Sequence, residues 1–192
     1  QDPSTQSASY EPAFLLSNRA LWYPQNPVPD YATGSLRINV PEGYSCIASG
    51  QPAAAGAAPV SLRDILASRG GKTFEFKATQ PLRYMAVVVS RFTRLSETQV
   101  DVRSVVAPGA AVDHVALTVQ SQPGVRQRGR ASAQQAEDII KFYTSLVGDV
   151  PYPSMTLALV ESDLPGGHSP GYFAVIRSPA LLSTQTYRGD PA

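Results

Sequence analysis

The sequence predicts an α+β fold that is mostly antiparallel β, with a sandwich-like or saddle-like part followed by a small sheet carrying one main packing helix. Three observations lead there. Seventeen prolines and fourteen glycines cut the chain into short segments, which favours strands joined by turns over a helical architecture. Most of those segments alternate apolar with polar residues, the pattern of a strand with one face on a core. A single stretch, Ala131–Ser145, carries apolar residues at helical spacing.

Taken in order, Gln1–Ser9 is polar and is expected to be disordered, as in a chain already processed or cut at that point. Strand-like segments follow at Gly34–Val40, Tyr44–Ala48, Thr73–Ala78, Leu82–Phe92, Gln99–Val106 and Val112–Gln120. Val100, Val102 and Val105 or Val106 form one face of their segment, and Val115, Leu117 and Val119 do so in the next. Gln51–Pro59 holds too little apolar area to anchor itself and reads as a linker or hairpin tip. Ser61–Asp64 has capping-box spacing and starts either a short helix ended by Gly70 and Gly71 or an irregular loop.

The helix is expected to begin at Ser132, with Gln135 completing a capping box. Ala136, Ile139, Ile140, Tyr143, Leu146 and Val147 fall on one stripe, expected to pack on a sheet. Gly148 supplies a left-handed stop, and Pro151 and Pro153 prevent continuation. Thr156–Glu161 then reads as a strand, and the loop Pro165–Gly171 runs into another, Tyr172–Ile176. The expected organisation is a disordered segment 1–10, a β-rich domain 11–108 and a β/α unit 109–192.

Composition excludes several classes of function. A formal net charge of +1 with 16% charged residues creates no field that favours nucleic acid or an acidic membrane surface. The longest apolar runs, such as Met85–Val89, fall far short of the roughly 18 residues of a membrane span, so a soluble chain is expected. Cys46 is the only cysteine. It rules out an internal disulfide or a cysteine-based zinc knuckle and reads as a small buried hydrophobe.

The order of elements from the helix to Ile176 resembles the segment just before the zinc site in the alanyl aminopeptidase family of zinc metallopeptidases (gluzincin type). Leu21-Trp-Tyr-Pro24, Ala32–Pro41, Ser49-Gly50 and Pro81–Val89 are similar to the later half of that family's saddle-shaped N-terminal β domain. From about Asp113 the resemblance moves into the start of the catalytic domain. It implies that the loop Gly166, Gly167, His168, Ser169, Pro170 and Gly171, with the strand that follows, lines a peptide-binding cleft as an edge strand. The family's Met-Glu-Asn falls on His168, Ser169 and Pro170, so a hydroxyl stands where the family has the glutamate that binds the substrate's α-amine. A neutral hydroxyl cannot supply that charge-assisted bond. Main-chain binding of an extended peptide by β-augmentation survives the change.

Other motifs point nowhere. Gly167–Gly171 matches G-x-S-x-G, but a strand rather than a helix is expected after it, Pro170 has no amide for an oxyanion hole, and no histidine lies downstream. The two histidines, His114 and His168, do not form the pair on one helical face that a catalytic zinc site needs. His114 reads as a surface or hydrogen-bonded residue, and His168 as packing the loop or touching substrate. Arg69–Thr73 lacks the first glycine of a phosphate loop, Leu66 standing there. Arg126, Arg128 and Arg130 read as a solvated loop before the helix, and Arg188–Asp190 as a chance receptor tripeptide.

The resulting expectation is a fragment of a metallopeptidase-like protein without catalytic or metal-binding residues of its own, inactive by itself because the H-E-x-x-H helix is absent. Zinc is expected only with a downstream segment that carries that helix. The expected partners are an extended peptide and the remainder of the catalytic domain. The alternative is a non-catalytic β-rich interaction or scaffold module, and either could be extracytoplasmic.

Overall fold

The computed structural model describes residues 11–25, 30–53, 71–102, 113–161 and 168–177. Strand β1 is Phe14–Leu16, β2 Ala32–Pro41, β3 Ser45–Ala48, β4 Gln51–Pro52, β5 Gly71–Leu82 and β6 Val87–Ser90. Strand β7 is Thr93–Val102, β8 Asp113–Ser121, β9 Ser154–Val160, β10 His168–Gly171 and β11 Phe173–Arg177. The helix α1 spans Arg126–Val147. The described strands form two three-stranded sheets, ordered β1-β6-β3 and β2-β5-β4, and one five-stranded sheet ordered β10-β11-β9-β8-β7. Among the described residues the fold is therefore mostly β with one packing helix, as the sequence predicts.

Most ladders are antiparallel, but β9 runs parallel to both β8 and β11. Parallel neighbours need a crossover connection, and α1 provides it between β8 and β9. Burial on both faces explains why Leu157-Ala-Leu-Val160 is continuously apolar. Leu157 and Leu159 join the cluster under the helix, with Val100, Val115, Leu117 and Val119. Ala158 and Val160 face the opposite cluster, with Phe173, Val175, Ile47 and Val88. One sheet thus holds α1 on one side and the β1-β6-β3 sheet on the other.

Several sequence expectations are corrected. The segment Leu82–Phe92 is two strands, because β5 ends at Leu82 and β6 starts at Val87 in a different sheet. The break is fixed at Ala86, whose amide donates to Ser49 Oγ at 3.0 Å and whose carbonyl accepts from Ser49 N–H at 3.0 Å. Strand β7 starts at Thr93 rather than Gln99, and a register shift between Arg94 and Ser96 hides the alternation there. Val105, Val106, most of Gln51–Pro59 and all of Ser61–Asp64 lie outside the described residues.

The helix begins at Arg126, after a 3-10 turn at Pro123–Val125, and not at Ser132. Ser132 lies inside it and donates its hydroxyl proton to Arg128 O at 3.0 Å, a bond back to the preceding turn. The helix has no side-chain cap of its own. Glu161, the residue after β9, accepts from Gly124 N–H at 2.7 Å, placing a carboxylate at the positive end of the helix dipole. Arg126, Arg128 and Arg130 are therefore exposed residues of the first helical turns rather than of a loop. At the other end Gly148 has φ 78° and its N–H donates to Thr144 O at 2.8 Å, the expected stop.

The apolar stripe packs only in part. Ala133, Ala136 and Ile140 lie against the sheet, whereas Ile139, Tyr143, Leu146 and Val147 are 55–67% exposed. Gly129 marks the closest approach, since a Cβ there would stand 2.4 Å from Leu95 Cδ1. No helix among the described residues is long and apolar enough to cross a membrane.

Candidate functional site

Among the described residues, strand β10 is the outermost strand of the five-stranded sheet and pairs only with β11. An edge strand presents unpaired backbone donors and acceptors to solvent. The edge is thus His168–Gly171, and the Tyr172–Ile176 segment expected there from the sequence is instead interior, with β11 between β9 and β10. The cause is register: β11 pairs parallel with β9 from Phe173↔Thr156 to Arg177↔Val160 and antiparallel with β10 through His168↔Val175.

Gly166 and Gly167 lie outside the described residues. Of the other site residues, Ser169 is exposed, His168 and Gly171 are half-buried, and Pro170 is buried. Proline is tolerated at an edge because its missing N–H breaks no interior ladder. After Gly171 the chain enters β11, a strand and not the helix a nucleophile elbow needs. Ser169 therefore has no frame for nucleophilic catalysis.

The turn that presents this edge is tightly held. Gly171 and Tyr172 both have positive φ, 86° and 60°. That conformation suits glycine but is an outlier for a bulky side chain, costing of order 1–3 kcal/mol. A Cβ on Gly171 would meet Leu82 Cδ2 at 2.7 Å and Tyr152 Cζ at 2.9 Å. Tyr172 is 1% exposed, and its hydroxyl accepts from Thr79 N–H at 3.0 Å and Gln80 N–H at 2.8 Å. Its carbonyl accepts from Thr156 N–H at 2.8 Å, and its ring lies 4.7 Å from that of Tyr152. These contacts tie the β10–β11 turn to the end of β5 and to β9, offsetting the strain. Sequence reasoning missed Tyr172, because a tyrosine in left-handed backbone follows no turn signature.

His168 packs its ring 5.9 Å from that of Tyr84. Its Nε2 is buried without a hydrogen-bond partner among the described residues. Burial, and secondarily the nearby Arg19 cation, push its pKa below the usual histidine value, so the ring is neutral at neutral pH. His114, by contrast, is exposed on β8 and bonds Asp101 on β7 through Nδ1 at 2.9 Å. Among the described residues no group of three His, Cys, Asp or Glu side chains could hold a metal ion, so these residues do not fit the zinc that the resemblance implies.

Three cavities among the described residues lie elsewhere, and none is lined by residues of β10; one, about 300 Å3, lies between β2 and β5 at Thr33–Ser35 and Lys77–Thr79. Another, of about 400 Å3, separates β3, β4 and β5 from β7, β8 and β9, and includes Cys46, Lys72, Phe76, Thr118, Gln120 and Thr156. A third, about 250 Å3, lies at the C-terminal end of α1 among Ile139, Tyr143, Val147, Tyr152 and Met155.

No protein-family model matches the chain. No curated protein matches it by sequence. Solved structures do. An M1 zinc metallopeptidase from Deinococcus radiodurans superposes with a TM-score of 0.63 at 18% identity, over 83% of this chain and 33% of that one. A two-domain M1 zinc metallopeptidase mutant bound to L-arginine gives 0.60 at 16% identity, over 79% of this chain and 31% of that one. A Deinococcus radiodurans mutant bound to a Tyr-Ser-Ala substrate gives the same figures. The chain spans about a third of the length of these structures, and over that span it has the fold of M1 zinc metallopeptidases.

Proposed function

We propose that this chain is the peptide-holding wall of a metallopeptidase-like protein, binding an extended peptide along β10 and cleaving no bond by itself. The single observation that carries this reading is the position of His168–Gly171 as an edge strand within a fold shared with M1 zinc metallopeptidases. An edge strand binds an extended chain by adding it to the sheet, main-chain bonds giving affinity and alternate side chains giving specificity. Tyr172 and Gly171 hold that edge in place, and preorganisation lowers the entropic cost of binding.

Gly166 and Gly167 complete the proposed wall, next to Ser169 and Pro170. The second proposed partner is the remainder of a catalytic domain, and with it the zinc that these residues do not fit. The exposed apolar residues Ile139, Phe142, Tyr143, Leu146 and Val147 on α1 support that reading, because large contiguous apolar patches mark interaction surfaces. The split into a β-rich domain 11–108 and a β/α unit 109–192 is part of the same proposal.

The test is a titration of the 192-residue chain with a dye-labelled extended peptide, followed by anisotropy and by chromatography of the peptide. Saturable binding with the peptide intact is expected. Cleavage, or no binding at concentrations up to millimolar, contradicts the reading. A second reading, a β-rich scaffold module with no peptide site, is favoured by Ser169 standing where the resembled family has its amine-binding glutamate. Absence of binding would select it.

A further inference from the structure

The cavity of about 400 Å3 between β5 and the five-stranded sheet has two unlike walls. Val115, Leu117 and Val119 of β8 belong to the cluster under the helix, so alternation turns Thr118 and Gln120 to the opposite face of the sheet. Thr118 stands beside Thr156 in the parallel β8–β9 ladder. Further along β9 that same face carries Ala158 and Val160, which pack with Ile47 and Val88. Where the two sheets part it becomes polar and lines the cavity. The side chains of Thr118, Gln120 and Thr156 make no hydrogen bond to another described residue. Across from them, Phe74 and Phe76 of β5 form an aromatic wall. Lys72, on the same strand and lining the same cavity, holds its Nζ 4.9 Å from the centre of the Phe74 ring. The other charged side chains there, Arg94 and Glu97, pair with each other at 2.7 Å. Among the described residues no carboxylate pairs with Lys72, so the net charge of the lining is its ammonium group.

We propose that this cavity binds a small planar aromatic anion, its ring against Phe74 and Phe76, its acidic group at Lys72 and its polar edge toward Thr118, Gln120 and Thr156. A concave site of a few hundred Å3 with an apolar wall and a few placed polar groups is the usual form of a small-molecule site. The aromatic wall favours a ring, which packs offset or edge-on against its neighbours. The ammonium of Lys72 favours an anion and disfavours a second cation. The two hydroxyls and the amide both donate and accept, so they suit the remaining polar atoms of such a ligand. No residue of β10 lines the cavity, and the site stands independently of the peptide-binding edge.

The probes are cinnamate, its neutral amide cinnamamide and the cation cinnamylamine. Each is titrated into the isotope-labelled full chain at low and high salt, and the backbone amide signals are followed by NMR. Cinnamate is expected to bind about threefold tighter than cinnamamide at low salt, because Lys72 is exposed. Cinnamylamine should bind weakest, and the spread should shrink at high salt. The shifts should centre on Phe74, Phe76, Thr118, Gln120 and Thr156. Lys72→Gln, a surface change, should make acid and amide bind equally. Thr118→Val together with Thr156→Val should weaken all three probes by about threefold or more through lost hydrogen bonds. No saturable shift up to about 10 mM, or shifts centred on β10 or the end of α1, overturns the proposal. So does cinnamate binding no tighter than cinnamamide, or a preference for the acid that persists in Lys72→Gln.

Discussion

Tyr172 shows how one residue can hold a surface in readiness. Its hydroxyl is the acceptor for two backbone amides at the end of β5, and its backbone is held at φ 60°. Replacing it by phenylalanine keeps the ring and strands both N–H groups, so Tyr172→Phe should destabilise the fold by about 1–3 kcal/mol. Chemical denaturation measures this directly. Loss of peptide binding at temperatures where the variant stays folded would show the turn acting on the edge. Cys46 provides a separate, pH-based check. Burial raises its thiol pKa to about 12, with Lys72 opposing. A folded-state pKa above the unfolded one stabilises the fold below pH about 9 and is lost as pH rises through 12. The wild type should therefore lose stability above pH about 9 faster than Cys46→Ala does, and alkylation at pH about 8 should follow unfolding. At this scale the sequence was partly legible. Buried Cys46 and exposed His114 follow from residue type and pattern, whereas Tyr172 acts through partners about 90 residues away in the chain, which no local pattern encodes.

At the scale of elements, period and punctuation carried the helix body and its Gly148 stop, but not its start. Ser132 has the right residues around it for a cap. Pro123 and the carboxylate of Glu161 override it, since Glu161 follows a distant strand. The apolar stripe of α1 follows the helical period, yet the sheet is wide enough to cover only Ala133, Ala136 and Ile140. Phe142, Leu146 and Val147 are left 59–67% exposed. If this face awaits more protein, then Phe142→Gln with Leu146→Lys should leave stability within about 0.5 kcal/mol of wild type, as for other surface changes. The same pair should reduce binding of a hydrophobic dye and raise solubility. A large loss of stability would instead assign the stripe to the core of this chain.

At the scale of the whole molecule, a mixed sheet covered on both faces delivers β10 to one end of its strand order. Alternating patterns made the antiparallel strands readable. The parallel order β8-β9-β11 was not, because a buried apolar run such as Leu157–Val160 is the same sequence in either direction. The central claim is that the free side of β10 takes up a peptide strand. Amide hydrogen exchange of the full chain, with and without a saturating extended peptide, tests it most directly. New protection confined to those amides of His168, Ser169 and Gly171 that point away from β11, with Pro170 silent for lack of an N–H, is the predicted result. Protection that instead maps to the cleft beside Cys46 and Gln120, or to the C-terminal end of α1, would contradict it.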